Sequence, residues 1–426
     1  MSHLQNSSIV VNSSSWMGKN EASAPDLGKV FCEKPPYPNQ VANMPLRNSL
    51  SNAWSHIQGN LFPWLQDELG PLLDGHKQVI IVLEMAGIEA FVHTWSGLPG
   101  RPPKDRHALA RAFTAKAVLG LPETEMLIER LAVDKALRRL CGWQQPGQVP
   151  SGSTFSRAFA EFAESGLPAR VHEALIKKTL GTSLVGHISR DATAIEAREK
   201  PVCKNARHTK TPAVVEQKRK RGRPKKGCVV APKAPRRLER QASQTLPRML
   251  ADLPKCCNIG TKRNAKGHTT SWTGYKLHID TADGDIPVSC LLTSASLHDS
   301  QVAIPLAMIT AKRVTNLYDL MDSAYDAPEI HATSIALGHV PIIDANPRRG
   351  GKCGHEAEAR AKRRAGYKTA EAIRYNERSG AERVNSALKD SYGGRSVRVR
   401  GHAKVFCHLM FGMLALTVEQ LMRLVT

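Results

Sequence analysis

The feature that most restricts the fold of this chain is a change of periodicity near residue 184. Leu184–Thr193 alternates between apolar and polar residues, which indicates a β-strand with one face on a core. Asp191 shares the polar face of this strand with His187 and Ser189. Helical patterns precede the change and a mixture of strands and helices follows it. The sequence therefore predicts a helical segment and then an α/β segment.

The α/β segment has a definite order of elements. Gly274–Asp280 and Ile286–Thr293 are strand patterns joined by Ala-Asp-Gly-Asp at 282–285, and Asp-Gly between apolar runs predicts a hairpin. The later elements are a helix at Ser300–Ala311, a strand at Asn316–Met321, a helix at Ala327–Leu337, a strand at His339–Ala345, a long helix at Thr369–Tyr392 and an apolar helix at Phe406–Val425. This order is that of an RNase H-like fold, an α/β layer with one mixed sheet.

Three regions are predicted along the chain. Residues 1–45 are rich in Ser, Asn and Pro and predict a disordered tail. Residues 46–180 predict an all-helical module, and both a helix-turn-helix that binds DNA and a plain packing domain fit its pattern. Residues 181–426 predict the RNase H-like domain, with a basic insertion at 200–266.

The chain is strongly basic. Its 426 residues carry 60 Lys and Arg against 38 Asp and Glu, a net charge of +22, which favours a polyanionic partner such as nucleic acid or an anionic membrane. The most apolar stretch, Val79–Val92, is too short to span a bilayer, and no secretory signal is visible. The nine cysteines are scattered along the chain, which favours reduced thiols over a disulfide framework. We therefore expect a cytoplasmic nucleic-acid protein with no membrane partner.

Most of the positive charge lies in the insertion at 200–266. It holds 20 Lys and Arg against three acidic residues, a net charge of +17, so we expect a solvated loop with salt-dependent affinity for DNA. Arg221-Gly-Arg-Pro resembles the core of an AT-hook, whose arginines enter the narrow minor groove of A·T tracts. The alternative is a generic basic linker. The candidate DNA contacts in this loop are Arg221, Arg223, Lys225 and Lys226.

Three carboxylates lie where the predicted fold would bring them together. Asp191 is on the first strand, Asp322 ends the strand at 316–321, and Glu382 is on the long helix. Phosphoryl transfer on a polynucleotide uses such hard oxygen ligands to hold two Mg²⁺ ions about 4 Å apart. The sequence thus offers a candidate metal site at the centre of the sheet.

The long helix carries a regular series of polar side chains. Tyr375, Arg378, Glu382 and Lys389 fall within about 60° of one another around the helix axis, so they share one face. A solvated, salt-bridged helix surface gives the same pattern. The placement of this helix after the two aspartates favours a functional role.

The spacing Tyr375-x2-Arg378-x3-Glu382-x6-Lys389 resembles the Tyr-Arg-Glu-Lys signature of bacterial insertion-sequence DDE transposases. Asp-Ala-Thr at 191–193 resembles the first aspartate motif of that family. Asp-Ser-Ala-Tyr at 322–325 resembles the second, with Ala324 where glycine is common. The resemblance runs from about Gly100 to the end of the sequence.

The resemblance implies a DNA transposase that binds the terminal inverted repeats of an insertion sequence and catalyses metal-dependent strand cleavage and strand transfer. Asp191, Asp322 and Glu382 would hold Mg²⁺, with Mn²⁺ as a substitute. The residues that would contact DNA near the transposon end are Tyr375, Arg378 and Lys389. The implied partners are double-stranded DNA and further copies of this chain, in a homodimer or higher oligomer.

Two other functions fit the same residues. One is a sequence-specific DNA-binding protein whose RNase H-like domain is vestigial. The other is an RNase H-like nuclease without strand transfer. A zinc site is not expected, because Cys256-Cys257 and Cys353-x-His355 each lack a second pair of ligands at suitable spacing.

Overall fold

The computed structural model describes residues 46–93, 104–202, 235–263, 267–346 and 370–426, and positions 360, 361, 364 and 366. The predicted tail at 1–45 lies outside the described residues. So do the AT-hook-like residues Arg221, Arg223, Lys225 and Lys226.

The described part of residues 46–180 is helical, as the sequence predicts. Its helices are α1 (Leu46–His56), α2 (Phe62–Leu69), α3 (Asp74–Ala86), α4 (Arg106–Val118), α5 (Thr124–Val133), α6 (Lys135–Cys141), α7 (Gly152–Glu164) and α8 (Leu167–Leu180). Asp105 and Asp134 begin α4 and α6 by accepting hydrogen bonds from backbone N–H groups. The apolar faces of these helices are buried against each other and against the C-terminal helix.

The strands form one mixed sheet. They are β1 (Leu184–Glu196), β2 (Asn258–Arg263), β3 (Thr269–Ala282), β4 (Ile286–Ser294), β5 (Thr315–Met321) and β6 (Val340–Ile343). The order is β4-β3-β1-β5-β6, and β2 also pairs with β3. β5 runs parallel to β1 and β6, whereas β3 is antiparallel to β1, β2 and β4. The protein therefore has an RNase H-like α/β layer after a helical N-terminal region, as predicted.

The α/β layer also contains helices, and those after residue 300 follow the predicted order. The helices of the layer are α9 (Arg237–Gln241), α10 (Leu246–Asp252), α11 (Ser300–Ala311), α12 (Pro328–Ala336), α13 (Ala370–Tyr375), α14 (Ser379–Asp390) and α15 (His402–Met422). The predicted hairpin is confirmed, because Ala282 of β3 pairs with Ile286 of β4 across a turn at Asp283–Asp285. Gly284 in this turn has φ +73°, a left-handed conformation that glycine adopts without a steric penalty.

The prediction of a solvated loop throughout 200–266 is wrong for its second part, where α9, α10 and β2 are formed. Asp252 accepts hydrogen bonds from Arg237 at 2.8 Å and from Arg240 at 3.0 Å, so part of the local positive charge is balanced. β2 reads Asn-Ile-Gly-Thr-Lys-Arg, with a single large apolar residue. A search for alternating apolar and polar residues could not predict β2, because this strand is defined by its pairing with β3.

The single helix predicted over Thr369–Tyr392 is also wrong, because a 3₁₀ turn at Asn376–Arg378 separates α13 from α14. Asn, Ser and Gly near this turn are weak helix formers. Gly380 lies against the β3–β4 turn, where an added Cβ would be 2.6 Å from Oδ1 of Asp285. Arg383 donates two hydrogen bonds to the same carboxylate, at 2.6 and 2.7 Å. These contacts fix the start of α14 against the sheet.

A buried ion pair crosses the sheet next to Asp191. Arg190 on β1 donates from Nε and Nη2 to both oxygens of Asp280 on β3, at 2.8 and 2.7 Å, and both residues are almost fully buried. Thr310 of α11 donates a further hydrogen bond to Asp280 at 2.6 Å. Both charged groups therefore have hydrogen-bond partners, which offset the cost of removing them from water.

The C-terminal helix α15 connects the two parts of the protein. Phe411 packs with its ring centroid 5.9 Å from that of Phe113 on α4, and Val405, Leu409 and Met413 contribute to the core beneath the sheet. α15 is long and apolar enough to cross a membrane, and 83% of its apolar window is buried inside the protein. Its apolar character is therefore that of a core helix.

Candidate active site

Asp191 and Asp322 lie side by side at the centre of the sheet. β1 and β5 are parallel neighbours, and Arg190 pairs with Met321, so each aspartate is the residue that follows this pair. Side chains alternate along a strand, and both aspartates therefore project from the same face. The negative charge of Asp322 contributes to a raised pKa at Asp191. Both predicted carboxylates are thus brought together.

The two aspartates share an electrostatic environment. Burial raises the pKa of Asp191 to about 6, while a hydrogen bond from the Ala192 N–H and the cation of Arg378 oppose the rise. Burial also raises the pKa of Asp322, against a hydrogen bond from the Ala324 N–H at 3.0 Å and again the charge of Arg378. Like-charged, partly buried carboxylates favour a proton or a cation between them.

The side chain of Glu382 points elsewhere. It is more than half exposed, and its Oε1 accepts a hydrogen bond from Nη2 of Arg378 at 2.7 Å. Arg378 in turn lies over the ring of Tyr375, 5.8 Å from its centroid. Three residues of the predicted signature, Tyr375, Arg378 and Glu382, are therefore in contact, with Arg378 between the other two. Within the described residues, no three His, Cys, Asp or Glu side chains are close enough to hold a metal ion.

A residue that the sequence analysis missed contacts Asp191 directly. Asn385, on α14, donates from Nδ2 to Oδ2 of Asp191 at 2.9 Å. It is 8% exposed, and its Oδ1 is buried with no hydrogen-bond partner. Asn385 lies three residues after Glu382 and hence on the same helix face. This three-residue spacing from Glu382 was the sequence feature that could have indicated Asn385 as a site residue.

Cations flank the carboxylates. The pKa of Lys389 is lowered first by burial and then by the positive charges of Arg395 and Lys262. The charge of Lys262 on β2 opposes the rise that burial causes in the pKa of Asp191 and of Asp322. The sequence analysis recognised Lys262 only as part of the basic insertion. Three cations from different segments, Arg378, Lys262 and Lys389, therefore interact electrostatically with Asp191.

Comparison with known families identifies the family of this chain. A family model for the transposase DDE domain matches residues 191–418, more than half of the chain, beginning at Asp191 itself. The chain belongs to this transposase family. A second model, for a transposase domain, matches residues 70–161 of the helical region. No curated protein and no solved structure matches the transposase. As a member of this family, the transposase is a nucleotidyl-transfer enzyme that acts on DNA.

The site of this transposase suits a divalent metal, on which the family generally depends. Asp191 and Asp322 provide hard oxygen ligands on one face of the sheet, the ligand type that Mg²⁺ prefers. The buried, unpartnered Oδ1 of Asn385 adds a polar atom next to them. The third predicted carboxylate, Glu382, is instead paired with Arg378.

Proposed function

We propose that this transposase binds the terminal inverted repeats of an insertion sequence and catalyses metal-dependent cleavage of DNA strands and their transfer to a target. The observation that carries the proposal is the pairing of Asp191 and Asp322 on adjacent parallel strands, with the Glu382 helix packed across the same sheet. A carboxylate pair of this kind is the core of a two-metal phosphoryl-transfer site.

Asp191, Asp322 and Glu382 are the proposed metal ligands. A bound Mg²⁺ or Mn²⁺ supplies Lewis-acid activation of the attacking oxygen and neutralises charge on the phosphate. Glu382 reaches the two aspartates by turning away from Arg378, and its large exposure leaves room for this rotation. The guanidinium of Arg378 is then available to bind a DNA phosphate as a two-pronged donor.

The remaining proposed DNA contacts extend this surface. Lys389 interacts electrostatically with Asp191 and would bind a DNA phosphate through its single ammonium group. Tyr375 lies beside Arg378. In the basic insertion, the proposed contacts with the minor groove and the phosphates are Arg221, Arg223, Lys225 and Lys226. The net charge of +17 over 200–266 supports this role, because each cation that reaches a phosphate releases a counterion.

We assign the recognition of the terminal repeats to residues 46–180 and the chemistry to residues 181–426. The match of a separate transposase domain to residues 70–161 supports this division. Joining two transposon ends requires that both be held at once, so a homodimer or higher oligomer on double-stranded DNA is part of the proposal. Action on the bacterial nucleoid, in the cytoplasm, follows from the substrate.

A donor-plasmid assay tests the proposal. The plasmid carries the DNA that flanks this gene, and the reaction contains Mg²⁺ and either wild-type protein, Asp322→Asn or Asp390→Asn. Asp390 is an exposed carboxylate of α14 outside the site, which makes its variant a matched control. We expect cleavage and joining by the wild type and the control. Asp322→Asn should lose more than about 100-fold of this activity and keep its DNA affinity, since outer residues of metal sites alone are worth about 10- to 100-fold.

The alternatives give different results in the same assay. Cleavage without joining, even when a free 3′-hydroxyl is supplied, would identify a nuclease. Binding to the ends without cleavage in Mg²⁺ or Mn²⁺ would identify a DNA-binding protein with a vestigial catalytic domain. Equal activity of Asp322→Asn and the wild type would remove Asp322 from the site.

A further inference from the structure

Asn385 occupies a position in the site that none of the predicted residues accounts for. It comes from α14 and meets β1, 194 residues away along the chain, where its Nδ2 lies 2.9 Å from Oδ2 of Asp191. The contact joins the helix of the third carboxylate to the strand of the first.

The position of Asn385 is fixed by the packing of its helix. The neighbouring Val384 and Leu388 are fully buried in the core beneath the sheet. At the start of α14, Arg383 and Gly380 are held against Asp285. The side chain of Asn385 therefore reaches Asp191 from a rigid element, the arrangement that gives a site its accuracy.

The other end of the Asn385 amide has no partner. Oδ1 is buried and accepts no hydrogen bond, although buried polar atoms in proteins are nearly always paired. The same side chain binds Asp191, which is the neighbour of Asp322 across β1 and β5, and Glu382 is one turn away on the helix. A ligand of the carboxylate site that can donate a hydrogen bond would satisfy it.

We infer that Asn385 is a positioning residue of the active site, whose Nδ2 orients Asp191 and whose Oδ1 accepts a hydrogen bond from the hydration shell of the divalent cation. This inference rests on the proposed metal site. Outer partners of metal ligands fix the orientation of the ligand, and their loss typically reduces metal affinity about 10- to 100-fold. Asn385 is suited to both tasks, since an amide carries a donor and an acceptor.

The test measures Mn²⁺ binding to the full-length protein by calorimetry, with thermal unfolding recorded for every variant. Asn385→Leu keeps the approximate volume of the side chain and removes both polar atoms, and Asn385→Ala removes them without added bulk. Val384→Ala is the matched control, because it creates a cavity on the neighbouring position of α14 without touching Asp191. Asp191→Asn reports on the metal site itself.

We expect both Asn385 variants to bind Mn²⁺ about 10- to 100-fold more weakly than the wild type. Val384→Ala should lose thermal stability and bind Mn²⁺ with wild-type affinity. DNA affinity without metal should be equal in the wild type and the Asn385 variants, because Asn385 is buried. If Asn385→Leu does not fold, the same comparison with Asn385→Ala decides the outcome.

Two results overturn the inference in different ways. Wild-type Mn²⁺ affinity in the folded Asn385 variants, or an equal loss in Val384→Ala, would show that Asn385 only packs, and would leave the proposed metal site intact. Failure of the wild type to bind Mn²⁺ more tightly than Asp191→Asn would refute the metal site and the role of Asn385 together.

Discussion

The guanidinium of Arg378 lies 2.7 Å from the carboxylate of Glu382, and its charge also opposes the rise that burial causes in the pKa of Asp191 and of Asp322. One arginine thus offsets charge on all three proposed metal ligands. That is the electrostatic task of a divalent cation. In the proposed site, Arg378 and the metal therefore compete for the same carboxylates.

Removal of Arg378 should strengthen metal binding and weaken catalysis. An ion pair of this exposed kind is worth up to about 1 kcal/mol, so Arg378→Ala should bind Mn²⁺ about two- to fivefold more tightly. Cleavage of transposon ends should fall, because the phosphate contact is lost. Calorimetry and the donor-plasmid assay measure the two effects. Arg374→Ala, which removes a nearby arginine stacked on Tyr318, is the control and should not tighten Mn²⁺ binding.

Replacement of Asp191 should stabilise the metal-free protein at neutral pH. The pKa of Asp191 is raised to about 6, so its ionisation opposes folding at pH 7. Asp191→Asn should raise the free energy of unfolding by about 3 kcal/mol there. The gain should shrink as the pH falls from about 6 and vanish below about pH 3, where the carboxyl is protonated in both the folded and the unfolded state. Denaturant titrations at several pH values test this, and a gain of the same size at pH 3 would contradict it.

The raised pKa also predicts that metal binding releases protons. A metal ligand must be deprotonated, so Mn²⁺ displaces the proton of Asp191 below about pH 6. Calorimetry in buffers of different ionisation enthalpy should detect about one proton released per ion at pH 5.5 and almost none at pH 8. An affinity that does not change between these pH values would show that Asp191 is not a ligand.

The buried Arg190–Asp280 pair should respond very differently to single and double substitution. Asp280→Ala leaves an uncompensated charge under β1 and should cost about 3–5 kcal/mol of stability. Arg190→Met combined with Asp280→Leu removes both charges and should cost much less. Urea unfolding compares the three proteins. If the double variant is as unstable as Asp280→Ala, charge compensation is not what the pair provides.

The basic insertion should set the salt dependence of DNA binding. Replacing Arg221, Arg223, Lys225 and Lys226 by Gln should reduce the slope of log affinity against log salt concentration by about three to four. Lys389→Gln should reduce it by about one. Fluorescence anisotropy with end DNA measures the slopes. An unchanged slope for the fourfold variant would mean that the AT-hook-like segment does not contact DNA.

Local pattern was sufficient for most of the fold. The alternation in β1, the Asp-Gly turn and the order of strands and helices predict the sheet and the proximity of Asp191 to Asp322. The contact between Asn385 and Asp191 could not be predicted, because it joins residues 194 positions apart and depends on how α14 packs.

Two further features needed tertiary information. Lys262 faces the carboxylates only because β2 pairs with β3, and its sequence gives no sign of a strand. Charged side chains such as arginine and aspartate usually lie at the protein surface, so the sequence did not predict the burial of Arg190 and Asp280 either. In both cases the deciding contact lies between distant segments.

The C-terminal helix α15 follows every other described element in the chain, yet it packs against both the early helices and the underside of the sheet. The two cores therefore share one helix, so any loss of its packing would weaken the helical region and the sheet together.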